Sequence, residues 1–176
     1  MAEFLINFAR IEPIIMKKTL LFFFLVTALV TLSSSAFSQN MSSSYRTSVG
    51  AKGYFGNGSI AGINIKHFLK GSSALEGSLL FRNGFVGFEG VYEWHGDISG
   101  ADGLKWYVGP GAWLGFYNNR GGGNSSAMFA LKGAVGLDYK FSGAPINVAF
   151  DLNPTFSLTP VTDFDFFAGF AFRFAF

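Results

Sequence analysis

The chain has 176 residues, 49% of them apolar and 18% aromatic, against only 14% charged, with a formal net charge of +2 and no cysteine. One domain's worth of chain this poor in charge is unlike an ordinary cytosolic globule, and too apolar to stay disordered. The missing cysteines exclude disulfide scaffolds, thiolate zinc sites, thiol nucleophiles and a lipid-anchored cysteine. The near-neutral charge gives no electrostatic footprint for nucleic acid.

Met16-Lys17-Lys18 forms a basic start, Thr19 to Leu32 is an uncharged apolar run, and Ala36-Phe37-Ser38 places small residues at the −3 and −1 positions of a cleavage site. This is the pattern of a secretory signal peptide, and the run is too short for a spanning helix, which needs about 20 residues. Cleavage is expected before Gln39, with the Ala36–Phe37 bond as the alternative. Residues 1–15 precede a complete signal, as an upstream start codon would produce, so the expected division is 1–15 extension, 16–38 signal peptide and 39–176 folded domain.

Beyond Gln39 the hydrophobic period is two, the period of a β-strand with one apolar face. Segment one, about 44–55, sets Tyr45, Val49, Ala51 and Phe55 against Arg46, Ser48, Gly50 and Lys52. Segment two, about 59–69, sets Ala61, Ile63, Ile65 and Leu69 against Gly62, Asn64 and Lys66; segment three, about 74–82, sets Leu75, Leu79 and Phe81 against Glu76, Ser78 and Arg82, with Leu80 an exception on the polar side. Segment four, about 85–95, opposes Val86, Phe88, Tyr92 and Trp94 to Gly87, Glu89 and Glu93. Segment five, about 104–117, opposes Leu104, Trp106, Val108, Leu114 and Phe116 to Lys105, Tyr107, Gly109 and Gly111. Segment six, about 127–141, opposes Phe129, Leu131, Val135, Leu137, Tyr139 and Phe141 to Lys132, Gly136, Asp138 and Lys140. Segment seven, about 146–158, opposes Ile146, Val148, Phe150, Leu152, Phe156 and Leu158 to Asn147, Ala149, Asp151 and Asn153. The last, 163–176, opposes Phe164, Phe166, Ala168, Phe170, Phe172, Phe174 and Phe176 to Asp163, Asp165, Phe167, Gly169, Ala171, Arg173 and Ala175. The connectors are short and rich in turn residues, Asn83-Gly84 being the strongest hairpin signal. The expected fold is all-β: an eight-stranded antiparallel up-and-down barrel.

Alternation does not say which face is the interior. The polar face is rich in glycine (Gly50, Gly62, Gly87, Gly109, Gly111, Gly136, Gly169), as a crowded lumen requires, and the mature phenylalanines lie on the apolar face except Phe68, Phe85 and Phe167. That is more aromatic bulk than an eight-strand interior holds. Tyr45, Tyr92, Trp94, Trp106, Phe116, Tyr139 and Phe141 fall near segment ends, where a bilayer barrel carries its aromatic girdles. The apolar face is therefore expected to meet lipid, making the barrel transmembrane.

With this pattern the chain resembles the small eight-stranded outer-membrane barrels of OmpA/OmpX type, over residues 39–176. The alternating aromatics Phe170, Phe172, Phe174 and terminal Phe176 resemble the C-terminal signal read by the barrel assembly machinery. The resemblance implies a bacterial outer-membrane location, contact with lipid and lipopolysaccharide, and both termini in the periplasm. The Gly96–Gly103 connector then falls on the periplasmic side, where such barrels carry tight turns.

By parity the lumen receives Arg46, Lys52, Lys66, Arg82, Lys105, Lys132, Lys140 and Arg173 against Glu76, Glu89, Glu93, Asp138, Asp151, Asp163 and Asp165. So balanced a set, in a space that side chains can fill, predicts an interlocked ionic core; a narrow ion or solute path is the alternative. Chemistry is sparse. Neither His67 nor His95 begins a His-x-Ser pair. Glu93, His95 and Asp97 alternate at a strand end and could hold a metal or move protons, but a solvated ion pair is the commoner meaning of such a cluster. Gly121-Gly122-Gly123 is followed by no Gly-Lys-Ser/Thr and is a loop tip. No cofactor or catalytic site is expected. The functional expectation is a structural or surface-interaction protein of the envelope, with an envelope protein as a candidate partner; a soluble carrier of an apolar ligand and an envelope enzyme are the other readings.

Overall fold

The computed structural model describes residues 45–56, 58–69, 71–117 and 126–176. The expected signal peptide, its expected cleavage site and the Gly121–Gly123 tip lie outside them. Eight strands follow in chain order: β1 (Thr47–Phe55), β2 (Ile60–Phe68), β3 (Ser73–Arg82), β4 (Phe85–Asp97), β5 (Leu104–Tyr117), β6 (Ser126–Lys140), β7 (Ile146–Thr159) and β8 (Asp163–Ala175). Each pairs antiparallel with its sequence neighbours, and β1 pairs with β8, so the sheet is a closed up-and-down barrel. No helix is present among the described residues.

Local chemistry explains the connections. Arg82 pairs with Phe85 across Asn83-Gly84, and Gly84 takes φ +71°, a left-handed conformation that glycine adopts without steric cost. The closing seam runs from Ser48↔Ala175 to Phe55↔Ala168 and is tied off where Phe176 exchanges backbone hydrogen bonds with Thr47 (2.9 and 2.8 Å). Closure leaves the sheet no unpaired edge along this seam.

Segment boundaries move in two places. β4 continues to Asp97, so the connector to β5 is the six-residue stretch 98–103, drawn tight by Ala101 N–H to Ile98 O (3.2 Å) and Leu104 N–H to Ala101 O (3.0 Å). The expected longer connector beginning at Gly96 is thus a tight turn. β1 starts only at Thr47, which leaves Tyr45 and Arg46 ahead of the wall.

The strands differ in length. β1 to β3 have 9, 9 and 10 residues, whereas β4 to β8 have 13 to 15. All reach the roughly 9–11 residues of a tilted bilayer crossing.

The burial pattern is inverted relative to a water-soluble barrel. Ile63, Phe88, Leu131, Phe150 and Phe170 are 49% to 61% exposed, while Lys66, Glu93 and Arg173 are fully buried. Apolar side chains therefore form the outer surface and ionic ones the core. The inward glycines do more than make room: a Cβ on Gly62 would sit 1.8 Å from Leu79 O, and one on Gly109 1.8 Å from Tyr92 O, so the neighbouring backbone itself occupies the space.

Candidate functional site

The interior is one connected polar assembly. Among the described residues five buried carboxylates (Glu76, Glu89, Glu93, Asp138, Asp151) pair with four buried cations (Lys52, Lys66, Lys132, Arg173). At the terminal side Asp138 accepts hydrogen bonds from Tyr45 Oη (3.0 Å), Lys66 Nζ (3.1 Å), Asn147 Nδ2 (2.7 Å) and Arg173 Nη1 (3.4 Å). Midway, Glu76 takes Lys52, Lys66 (3.2 Å) and Arg173 Nη2 (2.5 Å), while Asp151 takes Lys52 (2.8 Å) and Tyr107 Oη (2.6 Å). Toward the other end Glu89 accepts from Lys132 (2.6 Å), Tyr54 Oη (2.7 Å) and Ser78 Oγ (2.9 Å).

Above this layer sits an aromatic plug. Trp113 meets Tyr54 edge-on at 5.4 Å and Phe167 at 5.5 Å, with Lys132 Nζ 4.5 Å from the Tyr54 ring centre. Leu80, the apolar exception on the polar side of segment three, is fully buried in the same cluster. Buried ions are costly unless each is matched and hydrogen-bonded. Here most carboxylates hold two or more charged or hydroxyl partners from different strands, so the contacts cross-link opposite walls.

Not all of the parity-assigned charges join. Arg46 and Arg82 are exposed at the two mouths, and Lys105 pairs with Asp97, whose side chain is 84% exposed. Lys140 turns away to the turn carbonyls of Phe141 (2.8 Å) and Ala144 (2.7 Å). Asp165 is half-buried and Asp163 exposed at the rim opposite the termini. Parity gives a side chain's direction, not its depth, and positions at a strand's end face solvent even when they face inward. Tyr45 is likewise corrected: it belongs to no girdle but reaches into the mouth, where burial and then the Asp138 carboxylate hold its phenol well above the usual range.

The reverse omission concerns uncharged residues. Tyr54, Tyr107, Trp113, Asn64, Asn147 and Asn153 are integral to the interior. All share the parity of the charged set, which is the signal that could have found them.

Glu93 and His95 do come together, with His95 Nε2 2.8 Å from Glu93 Oε2, but Asp97 points away to Lys105. Among the described residues no group of three or more His, Asp or Glu side chains is placed to hold a metal ion. What the site can do chemically is bind its own walls together.

No family model and no curated protein matches the sequence. Among solved structures, the N-terminal β-barrel domain of Pseudomonas aeruginosa OprF is similar in fold at 20% identity and a TM-score of 0.57, over 76% of this chain and all of that one. Neisserial surface protein A (NspA) is similar at 10% identity and a TM-score of 0.51, over 74% of this chain and 94% of that one. The chain thus has the fold of the small eight-stranded outer-membrane barrels.

Proposed function

We propose that the chain is an integral outer-membrane β-barrel with a structural or surface-interaction role and no catalytic site. The observation that carries this is the inversion of burial: a continuous apolar exterior around a closed sheet whose buried ionic network lies inside and whose remaining charges sit at the strand ends. In water such an exterior far exceeds the few hundred Å2 of contiguous apolar surface a soluble monomer tolerates; in hydrocarbon it is the stable arrangement. Trp94, Trp106 and Phe141 lie exposed at the terminal-side ends of their strands, with Tyr92 packed edge-on against Trp94 at 5.1 Å and Tyr139 against Phe141 at 4.7 Å. Such a ring suits the headgroup level.

A cleaved signal peptide would supply export, Phe170, Phe172, Phe174 and Phe176 recognition by the barrel assembly machinery, and outer-membrane lipid and lipopolysaccharide the surroundings. The cross-linked interior supports a closed plug over a conducting path, leaving the rims and belt as the surfaces offered to an envelope partner. Density-gradient fractionation of cells tests the reading. Recovery with outer membranes, resisting carbonate wash and released only by detergent, is the expected result; recovery as a soluble periplasmic protein contradicts it.

A further inference from the structure

At the terminal-side mouth a half-open cavity of about 280 Å3 borders the ionic network, which its Tyr45 and His95 walls join through Asp138 and Glu93. Its lining combines three nitrogenous side chains, Arg46, Lys105 and His95, with the rings of Phe68 and Tyr45 and the Ser72 position, and among the described residues it includes no carboxylate. Arg46 is exposed and its side chain makes no hydrogen bond or ion pair with another described residue. The rings form a continuous series: Tyr45 edge-on to Phe68 at 5.0 Å, Phe68 to His95 at 4.7 Å, and His95 stacked on Tyr107 at 5.1 Å. His95 is 4% exposed, and with Nε2 committed to Glu93 its buried Nδ1 has no partner among the described residues. That nitrogen is closed off from solvent, so His95 serves as part of the wall and not as a hydrogen-bonding group.

We propose that this mouth is a binding site for a small carboxylate that carries a flat apolar body. The carboxylate pairs with Arg46, whose planar fork suits it, and the body lies on Phe68 and Tyr45, beside the ring of His95. Lys105, held by Asp97, adds positive potential without being free to close on the ligand. The volume is at the small end for ligand pockets, which limits the occupant to amino-acid or short-peptide size. The site is independent of the membrane reading, since it is built from the mouth alone.

The full chain has two histidines, which makes the test clean. His67 lies on the outward face of β2, hydrogen-bonded to Thr47 Oγ1 at 2.8 Å, and serves as the internal control. We would titrate the detergent-solubilised protein, without a histidine tag, with 3-phenyllactate, its neutral amide and lactate, following the two imidazole signals by NMR. Phenyllactate is expected to shift His95 and leave His67 still, while the amide, lactate, and phenyllactate with Arg46→Gln each bind about tenfold more weakly or worse, as loss of a charge-assisted pair implies. Arg46 is exposed, so the variant folds; the heat-dependent gel shift verifies this. Equal binding of the amide, an unchanged affinity in Arg46→Gln, or shifts in His67 matching those in His95, as partition into the micelle would give, overturns the proposal.

Discussion

Arg173 of β8 donates to Glu76 of β3 at 2.5 Å, joining strands that lie three places apart around the wall. Its remaining nitrogens reach Asn64, Asn147 (2.9 Å) and Asp138 (3.4 Å), so one guanidinium ties five strands together.

Replacing it therefore leaves two carboxylates short of a cation in a dry interior. Arg173→Met is expected to destabilise the barrel by about 3–5 kcal/mol, the cost of breaking a buried pair from one side. Arg46→Met, at an exposed position without a partner, should stay within about 0.5 kcal/mol of the parent. Urea unfolding in lipid vesicles measures both; equal stabilities for the two variants would show that the network is not a structural core.

Glycine tolerance should follow position, not residue type. Gly109→Ala places a methyl where Tyr92 O already sits and should prevent folding or slow it severely, whereas a Cβ on Gly90 meets nothing within 4 Å. Gly90→Ala is expected to fold normally by the same heat-dependent gel shift. Normal folding of Gly109→Ala would mean that β4 and β5 lie further apart than described.

The cross-linked interior and its aromatic plug predict no stable conductance from the purified protein in planar bilayers. A reproducible open level in the parent protein that changes when Lys132, Glu89 or Trp113 is substituted would favour the narrow-channel alternative.

Phe176 tests the terminal aromatics. Its backbone closes the seam with Thr47 while its ring is 65% exposed, so deletion would remove hydrogen bonds as well as the ring. Phe176→Ser separates the two: folding in vitro should be preserved, because little burial is lost, while the level of folded protein in cells falls. Equal cellular levels of folded parent and variant would count against an assembly signal.

The eight strands were legible because every wall has one face of each kind, and a period of two survives even at Leu80, whose inward side chain joins the Trp113 cluster. Strand neighbours followed from short connectors. Register did not: nothing in the sequence tells that Lys66 lies opposite Glu76, with Asp138 reaching the same ammonium from β6. Hence Arg46 and Arg82 looked equivalent to Lys52 by parity, although only Lys52 sits deep enough to be dry. Tyr54 and Trp113 were hidden by the opposite bias, since large aromatics are expected on a lipid-facing belt, yet Tyr54 spends its hydroxyl on Glu89 and Trp113 packs edge-on against it inside.

The central claim, that the apolar face meets hydrocarbon, is tested most directly by accessibility along β6. The chain has no native cysteine, so Leu131→Cys, Val135→Cys and Leu137→Cys on the outer face and Ala130→Cys and Ala134→Cys inside can each carry a single spin label. In protein reconstituted into lipid vesicles, the three outer positions should collide readily with lipid-dissolved oxygen and be shielded from a water-soluble nickel complex, with the inner two protected from both. Outer positions open to the aqueous nickel complex would contradict the account.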